Sequence, residues 1–157
     1  MNKPFHPQPP FAETSPPYEI DGYGWANWQA RLIRERRFDD LDIENIAEEI
    51  ESVGKNEETR AESALRVLIL HILKWQHQPS RRSRSWALSI TEQRNVYARV
   101  LRKNPSLKPH LENIRAEAHS DARIGAARET DLPLKTFPLD PPAWDVILDE
   151  PFEYEPE

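Results

Sequence analysis

The 157-residue chain contains no cysteine. That excludes a disulfide framework, a thiolate metal site and a cysteine nucleophile, and it agrees with a reducing compartment. Glycine is almost as scarce, with single residues at 22, 24, 54 and 125. Gly22 and Gly24 alone make no motif, and no phosphate-cradling glycine-rich loop, dinucleotide fingerprint or Gly-x-Ser-x-Gly elbow is present. Long apolar runs are missing as well. The most apolar stretch, residues 67–73, is interrupted by His71 and falls far short of the roughly 20 residues of a membrane span. The chain opens on Lys3 and Pro-rich polar sequence, without the apolar centre of a secretory signal. These absences predict a cytoplasmic protein that does not enter the membrane.

Proline is plentiful, and it marks boundaries. Six of the 15 prolines lie in residues 1–17, which have no helical period and read as a disordered or polyproline-like tail. Residues 18–78 contain none, and apolar residues there recur at helical spacing. A first helix is expected over about 21–37, capped by Asp21, with Trp25, Trp28 and Leu32 on one line. A second region covers 43–77. Its first part carries an apolar stripe of Ile43, Ile46, Ala47, Ile50 and Val53. From 61 to 75 nearly every turn is apolar on more than one side, as in a helix covered by neighbours. Gly54 leaves open whether this is one helix or two, since glycine costs about 1 kcal/mol inside a helix.

Pro79 ends the second region, because a proline disfavours helical geometry in the residue before it. A third helix is expected from Ser80 or Ser83 to about 103, with Trp86, Ile90, Tyr97 and Leu101 inward. A fourth, over about 107–129, turns to small residues at Ala118, Ala122 and Gly125, where a neighbour can approach closely. Asp140-Pro141-Pro142 reads as a cap before a short helix reaching about 148, with Trp144 and Ile147 inward. The predicted fold is all-α, a single bundle of four to five helices over 18–152, between Pro-rich termini and an acidic end at 153–157.

Charge is distributed unevenly. The net −6 resolves into −5 over residues 1–80, +7 over 81–110 and −8 over 111–157. Seven acids and no base lie in residues 39–51, and Glu44, Glu48 and Glu51 share one helical face. Like charges at that spacing repel, so a basic segment, a cation or solvent must compensate. No Glu-x-x-His pair accompanies them, and none of the usual metal or catalytic motifs is present. The basic counterpart is Arg81, Arg82, Arg84 and Arg94 beside Trp86, which suits phosphate contacts. It also suits bidentate pairing with the acidic face, and the charge arithmetic favours that pairing. His71 and Trp75, one turn apart in the apolar helix, complete the candidate binding residues. Glu117, His119, Asp121 and Arg123 read as polar residues on the solvent side of the fourth helix.

The segments around Trp25, Trp28 and Leu32, residues 38–52, the run from Lys74 to Trp86, Pro105-Ser106-Leu107, Asp121-Ala122-Arg123 and Leu132-Pro133 with Phe137-Pro138 form an ordered set. In order and spacing they resemble the bacterial domain-of-unknown-function family 29 over about residues 18–152. The resemblance implies an all-helical bacterial protein and carries no activity with it.

The leading expectation is a non-enzymatic interaction domain for a protein partner, marked by an apolar or charged patch left over after folding. Exposed Trp25, Trp28 or Trp144 would mark such a patch. The alternatives are nucleic-acid or phosphate binding through the basic 81–103 helix, and an enzyme with a Glu, His or Asp site in the bundle. The candidate binding residues are Glu48, Glu51, His71, Trp75, Arg81, Arg82, Arg84 and Trp86. No catalytic residue, metal ligand or cofactor is assigned, and the oligomeric state is left open.

Overall fold

The computed structural model describes residues 14–154. The tail expected over 1–17 therefore lies outside the described residues up to position 13, as does the acidic end from 155. Five α-helices and no strand occur among the described residues. They are α1 (Gly22–Arg34), α2 (Ile43–His77), α3 (Arg84–Lys103), α4 (Leu111–Thr130) and α5 (Trp144–Leu148). The fold is all-α, as the periodicity requires. The chain divides into two compact units, one ending at Val53 and one beginning at Gly54.

The first unit is built on α1. Asp21 caps it by accepting the Gly24 N–H at 2.8 Å. The helix ends three residues before the expected 37, because Arg36 takes a left-handed conformation with φ 59°. Trp25, Gln29 and Leu32 form its buried face. A 3₁₀ turn at Phe38–Asp40 then leads into α2. That helix runs unbroken through Gly54, whose added Cβ would meet nothing within 4 Å. Nothing crowds the helix there, so glycine's weak propensity is not enough to interrupt it.

The second unit holds the hydrophobic core. Leu65, Leu68, Ile69, Ile72 and Leu73 of α2 pack with Ile90, Tyr97 and Val100 of α3 and with Ile114, Ala118, Ala122 and Ala126 of α4. The small face of α4 permits close approach, since a Cβ at Gly125 would lie 2.6 Å from Leu70 Cδ1. Ser83, not Ser80, caps α3. The segment Pro105–His110 is 3₁₀ and not the start of α4. Pro109 explains this, because it lacks an N–H and clashes with the preceding turn of an α-helix. Asp140 does not cap α5, which starts only at Trp144. Each proline of the pair disfavours helical geometry in the residue before it, so the approach to α5 stays extended.

Candidate functional site

In the first unit a polar network fixes the start of α2 against α1. Asp42 is its centre. Its carboxylate accepts the Trp25 indole N–H at 3.0 Å, the Asn45 side-chain amide at 2.7 Å and the Asn45 backbone N–H at 3.3 Å. The last of these is an N-cap bond. The Asp42 backbone N–H is taken by Gln29 Oε1 at 3.0 Å. Hydrogen bonds from Asn45, and after them from Trp25, hold the Asp42 carboxyl below its ordinary range against the opposing effect of desolvation. One turn on, the Tyr18 hydroxyl donates to Glu49 at 2.6 Å, and the Tyr18 ring meets Trp25 edge-on at 4.8 Å.

This arrangement turns the Asn45 and Glu49 side of α2 toward α1 and leaves the other side free. Ile43, Ile50 and Val53 are 63%, 67% and 64% exposed. Ala47 beside them is exposed, as are Glu44, Glu48 and Glu51 on the adjoining flank. The stripe expected from the sequence is therefore present, and all of it except the half-buried Ile46 faces solvent. None of the tryptophans expected to mark a leftover patch is exposed: Trp25 is buried, and Trp28 and Trp144 are half-buried. The unit is also strongly acidic. Up to Val53 the sequence has eleven acids and five bases, while from Gly54 on it has sixteen of each. All of the chain's net charge thus belongs to the first unit.

In the second unit the aromatic and basic residues form a corner where α2 gives way to α3. Lys74, although buried, reaches Glu129 at 2.7 Å and lies 4.5 Å over the Trp86 ring. A buried ammonium needs such partners. Arg82 donates from Nε to the Trp75 carbonyl at 2.9 Å and lies 5.1 Å over the Trp75 ring, which Phe152 meets edge-on at 5.9 Å. His71 is half-buried with Nδ1 2.9 Å from the Val67 carbonyl. Burial lowers its pKa, with the Lys74 charge adding to the effect. The structure thus joins Trp75 to Arg82 and links Trp86 to the helix of His71 through Lys74. Arg81 and Arg84 remain exposed at the corner. The pairing expected between the acidic face and the basic run is absent among the ion pairs of the described residues: Glu48 and Arg84 are both exposed and neither forms one.

Of the polar residues expected at the surface of α4, Glu117 and Asp121 are exposed, but Arg123 is half-buried and His119 is buried. Arg115, His119 and Arg123 recur every four residues on α4. Arg115 donates to the Pro142 carbonyl at 3.3 Å and Arg123 to the Phe137 carbonyl at 3.2 Å, so both hold the extended segment after α4. His119 between them is only 3% exposed, and its Nε2 has no hydrogen-bond partner. Burial lowers its pKa, and the Arg123 and Arg115 charges act in the same direction against Asp140. The i, i+4, i+8 spacing was visible in the sequence, but the segment that covers it was not. Asp42 was missed for a similar reason: within an acidic run nothing distinguishes the one carboxylate that caps a helix.

Among the described residues no three His, Asp or Glu side chains are placed to share a metal ion, and no helix is long and apolar enough to cross a membrane. The features define an all-helical protein with a buried core in one unit and an acid-flanked apolar helix face in the other. Residues 17–153 match the family model described as Domain of unknown function DUF29, and the chain belongs to that family. No curated protein and no solved structure matches it.

Proposed function

We propose that the chain is a non-enzymatic, cytoplasmic interaction domain that binds another protein through the outward face of the first turns of α2. The exposure of Ile43, Ile50 and Val53 on one line carries this reading. Single exposed apolar residues are ordinary, but an aligned set on a regular helix is a contact surface in want of a partner. The test is affinity capture from a native bacterial lysate with the full chain and with Ile50→Asp as baits, with and without nuclease. Proteins that persist after nuclease and disappear with Ile50→Asp are expected. Partners lost with nuclease, or retained by Ile50→Asp, would contradict the reading.

A second reading, contact with nucleic acid or phosphate, rests on Arg81, Arg84, Arg99 and Arg102. All four are exposed and form no ion pair among the described residues. It ranks below the first because the unit that carries them is electrically neutral in sum.

A further inference from the structure

The exposed stripe of α2 has a definite spacing. The exposed Ile43, Ile50 and Val53 and the half-buried Ile46 between them are separated by three, four and three residues, the a/d pattern by which one helix packs along another. Ala47 lies next to this seam and is too small to block an approaching helix. Beyond it stand Glu44, Glu48 and Glu51, exposed and without an ion pair among the described residues. The other flank is acidic as well, through Asp42 and Glu49, which keep their negative charge while accepting hydrogen bonds from Trp25, Asn45 and Tyr18.

These two acidic flanks select the occupant. A second copy of α2 packed in parallel would set the Glu44–Glu48–Glu51 flank against Asp42 and Glu49. Packed antiparallel, it would set each flank against itself. Either way acid meets acid, and like-charge juxtaposition opposes the pairing. Anionic phosphates meet the same repulsion. A cationic helix turns each of these contacts into a pair, and the unit's net charge of −6 steers it in. We infer that the face formed by Ile43, Ile50, Val53 and the Glu44–Glu48–Glu51 ridge binds an amphipathic helix of a partner protein, with apolar residues at three-four spacing flanked by Lys or Arg. The inference rests on the protein-interaction reading above and specifies its partner.

Two labelled synthetic helices of about three heptads test it. Both carry Leu and Ile at the seam; one has Lys and the other Glu at the flanking positions. Each is titrated with the full chain by fluorescence anisotropy at low and high salt, and sedimentation of the chain alone reports self-association. The Lys helix is expected to bind, more weakly as salt rises, and the Glu helix is not. Replacing all three flank residues (Glu44→Gln, Glu48→Gln, Glu51→Gln) should weaken the Lys helix roughly tenfold, the combined effect of three exposed pairs. Ile50→Asp should abolish binding, with circular dichroism confirming that both variants fold. Equal binding of the two helices, binding of neither, or no effect of the Gln replacements would overturn the inference. So would a dimer of the chain that Ile50→Asp dissociates, which would make a second copy the occupant. If the Lys helix fails while Ile50→Asp still strips proteins from the lysate capture, the interaction function stands and only the partner's chemistry falls. If Ile50→Asp affects neither assay, both fall.

Discussion

Within α2, Leu65, Leu68, Ile69 and Ile72 are sealed in a core, whereas Ile43, Ile50 and Val53 of the same helix are more than half exposed. The two stretches do not differ in helical geometry or in the presence of apolar residues. They differ in what surrounds them. Around the later stretch α3 and α4 supply apolar and small faces, down to a glycine that admits Leu70. Around the earlier stretch α1 meets the helix through polar atoms centred on Asp42, which bind one flank of the helix and leave Ile43, Ile50 and Val53 uncovered. Periodicity shows that a helix has an apolar face, but it does not show whether the same chain covers that face.

The contrast is open to test by substitution. Leu68→Ala, in the sealed stretch, should cost about 2–5 kcal/mol in urea unfolding, as large-to-small core changes do. A cost below about 0.5 kcal/mol, typical of surface positions, would mean that this stretch is not core. Gly125→Ala should cost about 1–3 kcal/mol, because the new methyl would press on Leu70. An unchanged denaturation midpoint would show that Leu70 yields freely.

His119 gives the core unit a pH dependence. Its folded pKa lies below the ordinary value, so between the two the unfolded chain takes up a proton that the folded chain refuses. The histidine's contribution should be complete above about pH 6.5 and decline as pH falls from there toward the lowered folded value. His71 adds a contribution of the same sign. His119→Phe should flatten that part of the stability–pH curve, and an unaltered curve would assign the dependence elsewhere. The smallest effect is expected at Gly54, where α2 is exposed and nothing crowds a methyl group. Gly54→Ala should raise stability by about 0.5–1 kcal/mol. A loss there would mean that the glycine answers a need other than helix geometry.

Much of the fold was legible in the sequence because its signals are local. Asp21 and Ser83 cap helices where short polar residues precede an apolar period, and Pro79 closes α2. The misses came where two local signals compete. Asp140 before two prolines looks like a cap, yet each proline biases its predecessor away from helix. Leu107 continues the spacing of α4, but Pro109 turns that stretch into 3₁₀. Of the candidate site, the helix faces were readable and the partners were not. Glu129 lies 55 residues from the Lys74 it pairs with, and nothing near either residue announces the other.

Ile43, Ile50 and Val53 serve as a binding face only if the fold does not need them. Urea unfolding of the variant with Ile43→Ser, Ile50→Ser and Val53→Ser tests this most directly. The account predicts a stability within about 0.5 kcal/mol per substitution of the original chain. A loss of about 2 kcal/mol or more at each position, the size expected of core truncations, would show that the stripe is needed for folding and would contradict its reading as a binding face.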